Sequence, residues 1–427
     1  MRPQWTYWER GEMTPIRVAT LIGALLLTAC GSHRQPLERI ESAATGPRDY
    51  HEVATSKPMA TSVPEIFDTG PDIRAKMIEL IESASDYILI DSFLVSSDSA
   101  TSAVMEALKR KRRDGVRIHV LADSSTRYAD GGKAGYRFLE EAGISTVEYN
   151  PMRIYKLVVA PIMLKRDHRK FWIVDGKVLF LGGANLFGTS LTRPEDGGNR
   201  DFMVAVESAE AIESMVESFV ATWNLYSSRP LDKASFSVRA DRVGETTLWL
   251  SDQNKHAGRR QIIGKMFDGL FAVAQEEVWL IQPYTFVTPE LIGHIREMTR
   301  RGVAVNVMLS GDVHAQRFRY ASLFGCKNII EAGGKVWLFQ SGQGALHAKA
   351  ILVDGRWASV GSANLNFRSY HLSKEANLVF GDPVSVGKVG DIIEELRGNC
   401  RPIDLEESMG YRGAKYRLGW LLMQMAG

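Results

Sequence analysis

One eighteen-residue frame occurs twice, and it constrains this chain more than anything else in the sequence. The first copy starts His168-Arg169-Lys170, continues through Asp175-Gly176 and ends Gly182-Gly183-Ala184-Asn185. The second starts His347-Ala348-Lys349, continues through Asp354-Gly355 and ends Gly361-Ser362-Ala363-Asn364. Aligned without gaps, the two share eight identities, five of them His, Lys, Asp, Gly and Asn. Such a coincidence of polar residues in one register implies two copies of one structural unit.

Within each copy, two apolar runs flank Asp-Gly, the signature of a β-hairpin. Residues i and i+2 of a strand share a face, so His and Lys of each copy project together. The glycine step at the end of the second strand allows close backbone approach to a ligand and brings Asn185 or Asn364 to the same mouth. Asp175 and Asp354 complete the frame as candidate catalytic carboxylates, although Asp-Gly is equally a turn signal. Two imidazoles, two ammonium groups and two amides, with a hydroxyl from Ser362, suit a phosphodiester. Lysines and amides hold its oxygens. One His attacks phosphorus, and the other protonates the leaving alkoxide and then activates water or an alcohol. The scheme requires neither metal nor cofactor.

The order of elements also repeats. A helix over 72–84 and a strand over 87–90 answer the apolar stripe of 262–271 and a strand over 278–281. A helix over 102–113 and a strand over 116–121 answer a helix over 290–301 and a strand over 303–309. Alternating helices and strands imply an α/β fold. The expectation is two repeated α/β halves packed about a pseudo-two-fold axis, with one shared active site. The boundaries are a leader at 1–30, a tether at 31–63, halves at 64–228 and 246–400, a linker at 229–245 and a tail at 401–427.

The frame resembles the signature of the phospholipase D superfamily. The resemblance covers residues 64–380 and extends towards the bacterial cardiolipin synthase branch. Arg166-Asp167-His168-Arg169-Lys170 is similar to that branch's first motif, which also commonly carries Gly-Gly. The run from Gln282 through Pro283-Tyr284-Thr285-Phe286 to Pro289 is similar to its PYFVP segment, and Asn364-Leu365-Asn366-Phe367-Arg368-Ser369 to its NLDxRS segment. The resemblance implies that Asp201 and Glu375 orient the histidines across the halves, Asp201 with His347 and Glu375 with His168. It also implies His168 as nucleophile and His347 as general acid, although the near-symmetric halves offer no reason of their own. The chain departs from the branch at Gly183, at Asn366 in place of Asp, and at Ser373 in place of Asn.

The implied activity is phosphatidyl transfer between glycerophospholipids, with phosphatidylglycerol and possibly phosphatidylethanolamine as substrates. Hydrolysis to phosphatidic acid uses the same residues. A nuclease is disfavoured by a net charge of only +2, too small to imply a nucleic-acid partner. A non-catalytic membrane scaffold would need none of these residues. Whether a helper protein takes part is open.

The N-terminus points to export. Residues 16–29 form an apolar run, short for a membrane span and right for a signal peptide. It ends in Leu27-Thr28-Ala29-Cys30, similar to a bacterial lipobox, which would lipidate Cys30. Gly31 favours the outer membrane, and Met13 makes a better start than Met1. Cys326 and Cys400 remain, with nothing to say that they meet. Two segments read either as lipid-facing or as ordinary packed structure: the insertion between Asn150 and His168, with Leu157 and Val159, as a lip or a buried strand and loop, and the aromatic and basic C-terminus around Trp420 as an interfacial or a packed terminal helix.

Overall fold

The computed structural model describes residues 49–151, 165–311, 316–340 and 344–426. Two sheets carry the expected repeat. In the first, the strands run Asn199–Val206, Val178–Gly182, Lys170–Val174, Tyr87–Ser92, Arg117–Asp123 and Ser145–Tyr149 in spatial order. In the second, Glu375–Phe380, Trp357–Gly361, Ala350–Val353, Glu277–Gln282, Ala304–Ser310 and Lys335–Phe339 take the same places. In each sheet the last three strands are parallel, and the first strand of the hairpin pairs antiparallel with the nearest of them. The α/β expectation and the repeat both hold.

Strand periodicity explains the layering. Phe171 and Ile173 point into a core shared by the two sheets, while Trp172 and Val174 point into the first half's outer core. Helices Ala209–Tyr226 and Pro383–Gly398 contribute to the shared core. Helices Gly70–Ser83 and Ser102–Arg113 cover the first sheet outside. Ile262–Val273, Pro289–Arg300 and Gln316–Glu331 cover the second. Because both faces of each hairpin are buried, its strands read as continuous apolar runs.

Three boundaries differ from expectation. The tether was drawn through residue 63, but Tyr50–Val53 is helical and Met59–Thr61 is a strand pairing with Thr246–Gln253. Tyr50 is buried against Trp249 and Trp357, with ring centroids 5.4 and 5.5 Å away, and this apolar anchoring outweighs the polar composition around it. At the other end, Cys400–Ile403 closes the second sheet beside Lys335–Phe339, so the tail begins later than residue 401. The helix expected at 72 starts at Gly70, because Thr69 rather than Asp72 caps it: the Thr69 hydroxyl accepts from the Asp72 amide. Cys326 and Cys400 are both free. Cys30 and residues 152–164, including Leu157 and Val159, lie outside the described residues.

Candidate active site

Each half reaches into the other at the start of its frame. Ala345–Leu346 runs parallel to the first half's strand Asn199–Val206, so the His347 amide donates to the Arg200 carbonyl at 2.7 Å. Symmetrically, Asp167 bridges to Lys374 and the His168 amide donates to the Lys374 carbonyl at 3.0 Å. Each histidine therefore sits beside the acid that follows its partner in the opposite half. His168 Nδ1 lies 3.1 Å from Glu375 Oε2, and His347 Nδ1 lies 2.6 Å from Asp201 Oδ2. With Nδ1 held by a carboxylate, Nε2 is the nitrogen left for chemistry.

Burial dominates the electrostatics. It lowers both imidazoles to about 4, against the opposing pull of the carboxylates. It lowers Lys170 to about 7 and Lys349 to about 8. Lys349 acts on the charge of His168, and Lys170 on that of His347, so the four groups share one site. Lys349 Nζ lies over the His347 ring, 2.8 Å from Nδ1 and 3.1 Å from Nε2. Burial alone would raise Asp201 and Glu375. For Asp201, Lys349 and His347 outweigh it; for Glu375, His168 and Lys170 do. Both stay below the usual carboxylate range, charged and acceptor-only. His168 is the drier imidazole, with Phe93 edge-on at 5.0 Å.

The other frame residues divide. Asn185 Oδ1 accepts from the Leu94 amide at 3.1 Å. The Asn364 backbone amide donates to Ser369 Oγ, while its Oδ1 is buried with no hydrogen-bond partner among the described residues. A buried amide oxygen or nitrogen left open beside the catalytic groups fits contact with a ligand. Ser362 does not offer its hydroxyl to a phosphate: it donates to Glu375 Oε2 at 2.5 Å and accepts from the Ala376 amide at 3.0 Å. Ser369 donates to the other Glu375 oxygen at 2.7 Å.

Asp175 and Asp354 stand away from this cluster, at the far ends of their hairpins. Each lies seven steps of chain from its histidine, roughly 23 Å if extended. Both Asp residues have φ of +52°, and the glycines after them +64° and +60°. This is the left-handed pair that a tight hairpin turn demands. Asp175 accepts from the amides of Ser85, Asp86 and Tyr87, and Asp354 from those of Gln275, Glu276 and Glu277, all at 2.7–2.8 Å. Their geometry is that of a clamp joining the hairpin to the preceding helix and strand, not of a group touching substrate. The glycine steps likewise face protein: a Cβ at Gly182 would lie 2.1 Å from the Phe202 carbonyl oxygen. The departure at Asn366 is harmless, since its side chain caps helix Phe367–His371 by accepting from the Ser369 amide.

One cluster escaped the sequence reading. Arg169, fully buried, binds Asp167 at 2.8–2.9 Å, Asp91 at 2.8 Å and Asp252 at 3.2 Å. Lys374 joins Asp167 at 3.4 Å. The signal was present: Arg169 is the charged middle residue of a strand-bound His-x-Lys, where the second copy has Ala348.

With the geometry in place, the comparisons are consistent. The family model described as cardiolipin synthase, PLD-like domain, matches residues 77–223 and 269–397, one block per half. The chain belongs to this family. A cardiolipin synthase of Geobacillus sp. (strain WCH70) is 24% identical over 382 residues, covering 88% of this chain and 72% of the relative. One of Listeria innocua serovar 6a is 29% identical over 336 residues, covering 78% and 68%. The crystal structure of a phosphatidylserine synthase from Haemophilus influenzae superposes with a TM-score of 0.69 at 16% identity, covering 88% of this chain and 98% of that one, which shows the shared fold.

Proposed function

We propose that this chain is a phosphatidyltransferase of the cardiolipin synthase type. The observation that carries the reading is the crossed pairing, which puts two carboxylate-backed imidazoles and two lysines around one site. His168 Nε2 attacks the phosphorus of a phosphatidyl donor, and the P–O bond to the head-group alkoxide breaks. His347, charged once the phosphodiester anion is bound, gives that alkoxide its proton. The acceptor hydroxyl then loses a proton to His347 and attacks phosphorus, breaking the P–N bond and freeing His168. Lys170, Lys349 and Asn364 hold the phosphoryl oxygens, and Asp201 and Glu375 support the imidazolium forms. The drier His168 suits the nucleophile, and the more open His347 suits proton exchange with an incoming alcohol; their side chains are 11% and 23% exposed.

Phosphatidylglycerol, or alternatively phosphatidylethanolamine, is the expected donor, and the head-group hydroxyl of phosphatidylglycerol is the acceptor. Hydrolysis by water is the competing outcome. The lipobox-like ending at Cys30 supports export as a lipid-anchored protein, outer membrane favoured; no helix among the described residues is long and apolar enough to cross a membrane. The deciding test is mass spectrometry of lipids after incubation with phosphatidylglycerol vesicles, with and without phosphatidylethanolamine. Cardiolipin formed by the parent and not by His168→Ala supports transfer. Phosphatidic acid alone replaces it with hydrolysis, and no lipid product refutes both.

A further inference from the structure

Helix Ala414–Ala426 has two unlike faces. Inward, Gly419 sits so close to Gln316–Glu331 that a Cβ would lie 2.9 Å from Tyr320 Cβ. Trp420 rests on Phe324, ring centroids 5.3 Å apart, and Met423 is buried beside Phe286. Outward, Leu418, Leu421 and Leu422 are 55%, 53% and 45% exposed. Their i, i+3, i+4 spacing makes them one stripe. Residues 411–427 add Arg412, Lys415 and Arg417 and no carboxylate. A cavity of about 640 Å³ adjoins the helix, lined among others by Thr288, Asn328, Arg412, Arg417 and Trp420.

This face lies at the rim of the site. The helix touches Phe367–His371, whose Ser369 holds Glu375. Beneath it, Tyr284, Phe286 and Phe318 form a cluster of near-parallel rings with centroids 5.0–5.8 Å apart. Tyr284 in turn senses the charges of Arg368 and Glu375.

We propose that this face docks the folded body onto an anionic phospholipid bilayer. The leucine stripe enters the acyl boundary, and Lys415, Arg417 and the cavity meet lipid phosphates. The inference rests on the phospholipid reading of the site. Charge complementarity selects the occupant: an apolar stripe on a segment whose charged side chains are all cations matches a surface that is anionic above and hydrocarbon below. Docking there sets the aromatic cluster between the bilayer and helix Phe367–His371, whose Ser369 holds Glu375.

The test uses the full chain and a Leu418→Asp/Leu421→Asp variant. Hydrogen exchange is followed with phosphatidylglycerol-containing vesicles, phosphatidylcholine vesicles and buffer. Turnover is measured on vesicles and on dispersed dihexanoyl phosphatidylglycerol. Anionic vesicles should slow exchange across 411–426 in the parent and not in the variant, a local effect that a lipid tether alone would not produce. The variant should lose about tenfold in vesicle turnover while staying within about twofold on the dispersed lipid. Lys415→Glu/Arg417→Glu should raise the phosphatidylglycerol fraction needed for protection. Unchanged exchange, parental vesicle turnover in the variant, or equal losses on both substrates would each overturn the proposal. If the parent turns over neither lipid, the functional reading fails, and exchange on vesicles still judges the docking face separately.

Discussion

The two places where the halves cross solve one problem by different physics. At the His168–Glu375 crossing, the flanking residues Asp167, Arg169 and Lys374 join Asp91 and Asp252 in a buried ionic network. At the His347–Asp201 crossing, the matching positions are Leu346, Ala348 and Arg200; the first two are apolar, and Arg200 pairs with Asp68 and the exposed Glu395. The orienting acids differ in the same sense. Glu375 is long and is held by Ser362 and Ser369. Asp201 is short and stands where a Ser362 counterpart would be: a Cβ at Gly183 would lie 2.0 Å from its Oδ1. Gly183 and Asp201, or Ser362 and Glu375, are thus matched sets, and mixing them should break the site.

Alanine at His168 or His347 should have the largest effect, lowering kcat by about 10⁴ or more, with the double variant no worse, because both act in one step. A phosphohistidine trapped at His347 alone would reverse the assigned roles. Arg169→Met should come next. Removing the guanidinium shared by three buried carboxylates costs about 3–5 kcal/mol, read by denaturant unfolding. Arg200→Met, on the more open crossing, should cost about 1 kcal/mol. Equal costs would deny the difference between the crossings. Gly183→Ser should lower kcat by roughly 100-fold by displacing Asp201, whereas Ser362→Ala, which removes one of two hydroxyl donors to Glu375, should lose about tenfold.

The pH dependence sharpens the same contrast. His168 must be neutral, so kcat/KM falls as pH drops through about 4. His347 and Lys170 must both be charged, so the basic limb belongs to the pair, with Lys170 losing its proton as pH rises through about 7. Lys170→Arg keeps its charge and should move the basic limb upward; an unmoved limb would assign it to another group. The smallest effect on turnover is expected at Asp175→Asn and Asp354→Asn, within about twofold, with a lowered Tm as the clamp loosens.

The doubled frame made the repeated halves legible, because two apolar runs around Asp-Gly admit few other folds. The identity of the orienting acids was legible only through resemblance; nothing in the spacing of Asp201 or Glu375 points across 146 or 207 residues. The role of Asp175 and Asp354 was misread because a turn carboxylate that caps neighbouring amides is indistinguishable in sequence from one that touches substrate. Ser362 was misassigned because its target, Glu375, comes thirteen residues later on a neighbouring strand. The strand at Met59–Thr61 was lost in polar surroundings, since its partner lies 185 residues or more downstream.

That distant pairing has a consequence for how the chain is made. Strand Met59–Thr61 covers an edge supplied by residues 246–248, and Pro64 accepts a hydrogen bond from Ser385, 321 residues away. Strand Asn199–Val206 completes its edge only when Ala345–Leu346 arrives. Within the first half, Glu65–Thr69 already covers most of that edge, so what waits for the second half is the end of the strand at Asn199 and Arg200, beside Asp201. The crossed pairings that build the site therefore close last, when nearly the whole chain has been made.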